Sequence, residues 1–181
     1  QHDEFYDKIS QAYARVFAQL GLGDFTYKTF ASGGSFSKFS HEFQTVSSVG
    51  EDTIYISDEK KIAINEEVLT DEVLTELGLK REDLREEKAV EVGNIFTLGY
   101  KFSEALGLKF IDRYGVEKPV FMGSYGIGPS RVMGMIAEHF SDDKGLVWPE
   151  NVAPAKVYLV QIGEQSKQLA EEIYKEFQAK G

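Results

Sequence analysis

The stretch VFMGSYGIGPSR, Val120 to Arg131, decides how the rest of the chain is read. Read as a strand, its side chains alternate between two faces. Phe121, Tyr125 and Ile127 fall on one side; Met122, Ser124, Gly126 and Gly128 fall on the other. The second face is nearly bare, which lets a flat ligand lie against the backbone and explains why a strand would tolerate the cost of glycine. Pro129 suits the first position of a helix, where a missing N–H loses nothing. Arg131 then stands in the first helical turn, where the helix dipole already favours an anion. The expected unit is a flat platform ending in a cation that seeks phosphate.

These residues alone do not separate a nucleotide platform from an ordinary glycine-rich turn between a strand and a helix. The glycine order is G-x-x-G-x-G, not the dinucleotide order G-x-G-x-x-G, and a phosphate-binding Walker loop would need Lys where Pro129 stands. Neither common nucleotide-binding fold is supported.

The chain of 181 residues, 42% apolar, is long enough for one packed domain and part of a second. It contains no cysteine, which excludes disulfides and thiolate zinc sites and suits a reducing cytoplasm. No apolar run is long enough to span a membrane, and no signal-peptide pattern opens the chain. A formal net charge of -10 argues against a nucleic-acid surface spread over this segment, since phosphate neutralisation needs clustered Lys and Arg.

From Phe5 to Leu20 the apolar residues recur at helical spacing and Gly21 and Gly23 end the pattern, with Asp3 the expected N-cap. Phe25 to Phe30 reads as a strand, Ala31 to Ser40 as a polar loop, and His41 onward as a strand to Val49. His41 and Glu42 could be ordinary loop-end residues; as strand neighbours they point to opposite faces, so at most one of them reaches a common ligand. Glu51 to Ile64 reads as a hairpin. Glu66 to Lys88 is charged, with Val68, Val73, Leu74, Leu77, Leu79 and Leu84 suited to short helices and the rest to a solvated face. Glu91 to Ser103 has strand composition, with Val92, Asn94, Phe96 and Leu98 on one face and Gly93, Ile95, Thr97 and Gly99 on the other. Phe96 could be a core aromatic or the wall of an apolar pocket. Leu108 to Asp112 and Val116 to Met122 pair across a turn, and Val132, Met133, Ile136, Ala137 and Phe140 make the buried stripe of the helix after Pro129. His139, near its end, reads as a cap or surface residue, with no second His at metal-binding spacing. Pro149 and Pro154 mark a linker; Lys156 to Ile162 reads as a strand and Glu164 to Lys180 as a helix.

Three blocks in order, "GGSFSKFSHEFQTVSSVGED", "EVGNIFTLGYKFS" and "MGSYGIGPSR", resemble the prolyl-tRNA synthetases of bacterial type, members of the class II aminoacyl-tRNA synthetases. The last block is similar to their motif 3. Two departures stand in the middle block: Asn94 where many members have His, and Tyr100 where they often have Thr. Asn cannot titrate near neutral pH, so a general base at position 94 is not expected.

The resemblance implies an α+β fold, an antiparallel sheet flanked by helices over residues 1–153. It also implies the first strand and helix of an α/β anticodon-binding domain over 154–181. It implies ATP-dependent, Mg²⁺-assisted activation of L-proline to prolyl-adenylate and transfer to tRNA(Pro), in a cytoplasmic homodimer. ATP contacts are implied at Glu91, Thr97, Gly126, Gly128 and Arg131, the last holding the γ-phosphate as the catalytic cation. Proline contacts are implied at His41, Glu42, Asn94, Phe96, Gly123 and Ser124, where a carboxylate and an imidazole could accept the two N–H bonds of a secondary ammonium. No protein metal ligands are expected. The short acidic stretch before Glu91 implies a form without the editing insertion. Motifs 1 and 2 of the family are not found, so the segment alone is not expected to form the adenylate. Other class II synthetases, threonyl or histidyl, and a synthetase-like binding module without catalysis remain as alternatives.

Overall fold

The computed structural model describes residues 1–180 and divides into two compact units, Gln1–Asn151 and Val152 onward. In the first, helix α1 (His2–Gln19) has its cap at Gln1, without a side-chain hydrogen bond and two residues earlier than expected, so Asp3 lies inside its first turn rather than at the cap. There its carboxylate still favours the positive end of the helix. Strands β1 (Thr26–Ser32) and β2 (Phe39–Val46) form an antiparallel pair, and β3 (Asp52–Ser57) and β4 (Ile62–Asn65) the expected hairpin. The charged stretch folds around helix α2 (Asp71–Leu77), capped by the Thr70 hydroxyl, which accepts from Val73 N–H, and closed by Gly78 at φ 62°. Its apolar residues Val68, Val73, Leu74, Leu77, Leu79 and Leu84 gather with Ile64 and Phe39 into a satellite core, leaving the carboxylates in solvent.

Strand β5 (Arg85–Gly99) is 15 residues long and begins six residues before the expected start at Glu91. The reason is the supply of partners: β3 pairs with its first part on one edge, and β2 with the next part on the other. Charged Arg85, Glu86, Glu87 and Lys88 carry no strand signal of their own, and hydrogen bonding to β3 overrides that. Helix α3 (Lys101–Ala105) follows, so Lys101 to Ser103, expected in the strand, are helical. Strands β6 (Lys109–Ile111) and β7 (Glu117–Pro119) make a separate small hairpin. Strand β8 (Met122–Ile127) then takes over the edge of β5 that β3 leaves, opposite β2, and helix α4 (Pro129–His139) starts with Pro129 in its first turn. A two-strand ribbon, β9 (Ser141–Asp142) and β10 (Gly145–Leu146), closes the unit.

The large sheet has the order β2-β1-β4-β3-β5-β8, with β2 also paired to β5. Pairing is antiparallel except between β1 and β4. Helix α1 covers one face. Its Tyr13 and Phe17 rings stand 5.1 Å and 5.5 Å from the ring of Phe43 on β2, and Phe17 is buried to 1% exposure. Burying one such side chain contributes about 2 to 3 kcal/mol. The stripe of α4 is Val132, Met135 and Ile136; expected Met133 is instead 64% exposed, since the inward face at that turn is taken by Met135. Phe25 stacks on His139 at 4.2 Å, and a ring nitrogen of His139 lies 2.8 Å from the Val46 carbonyl, so this histidine fastens α4 to the end of β2.

In the second unit, helix α5 (Lys167–Lys180) forms as expected. Lys156 to Ile162 does not form a strand. A strand exists only where a second one answers its N–H and C=O groups, and residues 152–180 offer no such partner.

Candidate functional site

Registers across β2, β5 and β8 place Glu42, Asn94 and Gly126 in one row and Phe96 and Ser124 in the adjacent position on the same face. The neighbouring rows, His41, Ile95 and Tyr125, and Phe43, Gly93 and Ile127, point the other way, under α1. Gly126 and Ser124 are exposed and Phe96 and Asn94 half-buried, so the face that the glycine spacing leaves bare is open.

A side chain at Gly126 would meet nothing closer than Asn94 Oδ1 at 3.7 Å, and one at Gly128 only the flexible Arg131 side chain at 3.6 Å. Gly128 has φ -89°, and neither residue adopts a positive φ. Neither packing nor backbone conformation demands glycine at these two positions. By contrast a Cβ at Gly93, on the helix face, would approach the Gly126 carbonyl at 2.9 Å and the Tyr13 ring at 3.3 Å. That glycine serves packing.

At the end of the platform the Arg131 guanidinium donates from Nη1 to the Glu91 carboxylate (2.8 Å) and to the Glu91 carbonyl (3.0 Å). Asn94 Nδ2 donates to the other oxygen of the same carboxylate at 2.7 Å. Glu91 and Asn94 are three residues apart, a spacing that in a regular strand would put them on opposite faces. The register slips here: Phe43 faces Gly93 but Gln44 faces Glu91, so Val92 is the extra residue of a bulge. The bulge turns Glu91 onto the open face and buries Val92, which the alternation had put with Asn94. Glu91, Asn94, Gly126, Gly128 and Arg131 line one shallow cavity of about 230 Å³.

Glu91 also borders a second cavity of about 460 Å³, lined by Glu42, Glu51, Asp52, Asn65, Glu66 and Glu67. Here Glu42 is half-buried, and its carboxylate accepts from Gln44 Nε2 at 2.9 Å and Asn65 Nδ2 at 3.3 Å. Burial raises its pKa above the usual carboxylate range, the two amides pull it back, and Glu91 and Asp52 push it up again. Gln44 also donates to Asp52 at 2.7 Å, while its own Oε1 is buried without a donor. Gln44 and Asn65 carry no role in the sequence reading. Gln44 could have been found, being two residues from Glu42 on the same face; Asn65 could not, because it arrives through the β1–β4 pairing.

His41, Thr97 and Gly123 are not part of this face. The His41 ring lies under α1, 4.7 Å from the Phe30 ring, with Nδ1 2.8 Å from the Tyr6 hydroxyl. Thr97 Oγ1 is 3.1 Å from a ring nitrogen of His2, and a side chain at Gly123 would strike Tyr125 and His2. Of His41 and Glu42, which alternation puts on opposite faces, Glu42 is the one on the open face.

No protein-family model matches the chain. It is 36% identical to the proline–tRNA ligase of Anaplasma marginale over 93% of this chain and 43% of that protein. It is 34% identical to the one from Rickettsia rickettsii over 97% of this chain and 45% of that protein. The chain is related to the proline–tRNA ligases. A shorter stretch, 52% of this chain and 16% of that protein, is 52% identical to the Bifidobacterium adolescentis proline–tRNA ligase. Among solved structures, prolyl-tRNA synthetase from Cryptosporidium parvum complexed with L-proline and AMP superposes with a TM-score of 0.57 at 20% identity. That match covers 94% of this chain and 29% of that one. The same protein complexed with halofuginone and AMPPNP gives 0.58. The mainly antiparallel sheet flanked by helices is therefore the prolyl-tRNA synthetase fold. The chain spans less than half the length of the proline–tRNA ligases from Anaplasma and Rickettsia.

Proposed function

We propose that residues 1–151 supply the nucleotide platform and one wall of the amino-acid pocket of a proline–tRNA ligase, which activates L-proline with ATP and transfers it to tRNA(Pro). The observation that carries this reading is the pair Gly126 and Gly128, glycines that neither packing nor backbone conformation requires, lying beside a surface cation. Glycine in a strand costs about 0.5 to 1 kcal/mol, and a flat ring stacked on the bare backbone is a reason to keep it. The relatives named as proline–tRNA ligases favour proline over the threonyl and histidyl alternatives, and an intact Arg131 and open platform speak against a non-catalytic module.

In this reading Arg131 supplies positive charge to the transferring nucleotide's phosphates while Glu91 and Asn94 fix its position, so the charge is in place before the transition state forms. Glu42, oriented by Gln44 and Asn65, accepts hydrogen bonds from the secondary ammonium of proline, and Phe96 walls the ring. His41 acts from beneath the sheet, fixing β2 through Tyr6, and Thr97 and Gly123 hold the strands together. Mg²⁺ in such sites keeps several waters and takes one or two carboxylates besides phosphate oxygens. Among the described residues no group of three or more acidic, His or Cys side chains is poised for a metal. Glu91, the carboxylate at the platform, fits the single-ligand case, and the ion would supply charge neutralisation there.

We also read residues 152–180 as the beginning of the anticodon-binding domain, the full-length protein as a homodimer, and its location as cytoplasmic. No helix among the described residues is long and apolar enough to cross a membrane. The test is amino-acid-dependent exchange of pyrophosphate into ATP on the full-length protein with Gly126→Val and Arg131→Ala. Proline-dependent exchange lost in both variants, with folding intact, supports the proposal; exchange with another amino acid, or none, overturns it.

A further inference from the structure

On the sheet face opposite the platform, a cavity of about 230 Å³ opens between α1, the end of β1 and the β3–β4 turn. Its floor is Phe17, Phe43 and Ala14, and its polar lining is Ser10, Gln11, Thr26, Lys28 and Lys61. Lys28 stands opposite Phe43 in the β1–β2 register and beside Ile62 in the β1–β4 register, so its ammonium is carried into the space under the helix. It is half-buried and makes no hydrogen bond or ion pair among the described residues. Asp7 on α1 is the one carboxylate that stabilises its charge, from a distance, and burial outweighs that help and lowers the Lys28 pKa. Lys61, at the mouth, likewise has no ion pair among the described residues.

This is unexpected in a chain with 30 acidic and 20 basic residues, where a carboxylate is the easiest partner to find. Two ammonium groups lining one small space repel each other, and taking one of them from water costs free energy unless an anion compensates. We propose that this pocket binds a small phosphate-class oxyanion, inorganic phosphate or the phosphate of a monoester, held by Lys28 and Lys61 with Ser10 and Gln11 as neutral donors. A space of about 230 Å³ is ample for such an ion. The site is separate from Arg131, which lies beyond the other face of the sheet. It acts as a stabiliser of the α1 contact, since a ligand bound only by the folded chain raises its stability by mass action.

The test is thermal unfolding of the chain in inorganic phosphate against chloride at matched ionic strength, for the parent, Lys28→Met, Lys61→Met and Arg131→Ala. The parent and Arg131→Ala should gain several degrees from phosphate beyond chloride. Each lysine variant should bind phosphate about ten- to hundredfold more weakly, the usual worth of one charge-assisted hydrogen bond. Lys28→Met should also be at least as stable as the parent without phosphate, because it removes an uncompensated buried charge, so its lost response cannot come from misfolding. A phosphate response equal to that in chloride, or one retained in full by both lysine variants, overturns the proposal. A response abolished by Arg131→Ala also overturns it, by placing the anion on the platform.

Discussion

Protonation of His41 should set how the fold responds to acid. The Tyr6 hydroxyl lies 2.9 Å from the Ile95 carbonyl, which can only accept, and 2.8 Å from His41 Nδ1. With a single proton, Tyr6 donates to Ile95 and accepts from Nδ1–H, which fixes the neutral imidazole tautomer. Burial beneath α1 and, next, the charge of Lys28 lower the His41 pKa from 6.5 to about 3. Burial also pushes the Tyr6 phenol up to about 12, so this partner stays protonated throughout.

The sign follows from which state takes the proton. The unfolded chain binds it near 6.5 and the folded chain only near 3, so His41 costs no stability above about pH 6.5 and a growing amount below. At about pH 5 the unfolded form gains roughly 2 kcal/mol relative to pH 7, and the full span of the shift is on the order of 5 kcal/mol, reached near pH 3. In a fold whose net stability is about 5 to 15 kcal/mol, that is a large share. Urea unfolding of the parent and of His41→Gln, followed by far-UV circular dichroism at about pH 7 and about pH 5, isolates the effect because the carboxylates titrate alike in both. The parent should lose about 2 kcal/mol more than the variant across this interval. Equal losses, or an imidazole resonance of His41 that titrates near 6.5 in the folded protein, would refute the reasoning.

The remaining predictions concern the platform and its support. Arg131→Ala should lower proline-dependent exchange by about a hundred- to thousandfold, the usual effect of removing one preorganised charge donor, with unfolding unchanged. Gly126→Val should leave the melting temperature within a degree or two and weaken ATP binding, whereas Gly50→Ala, whose Cβ would come within 2.4 Å of Ala89 backbone atoms, should destabilise the fold and show it by urea unfolding. Glu42→Gln should raise the KM for proline about tenfold or more while leaving that for ATP, measured by exchange kinetics. Phe17→Ala should cost about 3 to 5 kcal/mol in chemical unfolding, given its complete burial against Tyr13 and Phe43.

Where local chemistry alone fixes an element, the sequence was enough to read it. The helix opened by Pro129, the β3–β4 and β6–β7 hairpins, and the bare face of β8 all follow from spacing and turn residues. Elements set by a distant partner did not follow. Arg85 to Lys88 read as a solvated charge run, yet they are strand because β3 offers Arg85 to Ala89 a ladder. Lys156 to Ile162 has strand composition and no ladder to join, so composition alone misled in the opposite direction. Both outcomes have one cause: a strand is a property of a pair, and a single sequence window contains only one member.

The site shows the same limit at the scale of one residue. Strict alternation along β5 assigns Val92 to the open face and leaves Glu91 off it, which would separate the carboxylate from Asn94 and from the guanidinium of Arg131. A single inserted residue in the ladder reverses both assignments, because a slip of one flips every side chain beyond it. The bulge has no marker such as glycine in αL at that point; what holds it is burial of Val92 at 0% exposure and the Gly128 N–H, which donates to the Val92 carbonyl at 2.9 Å. That bond ties the bulge to the residue just before α4. The position of Arg131 and the position of its carboxylate partner are thus set by one local distortion, and a substitution that regularised β5 should disturb both together. Inserting one residue between Phe43 and Gln44 would give Val92 a partner, impose regular alternation on β2 and β5 and turn Glu91 away from Arg131. ATP binding should then fall as far as in Arg131→Ala, although neither member of the pair has been changed. Undiminished ATP binding in a folded insertion variant would mean that the bulge does not organise the site.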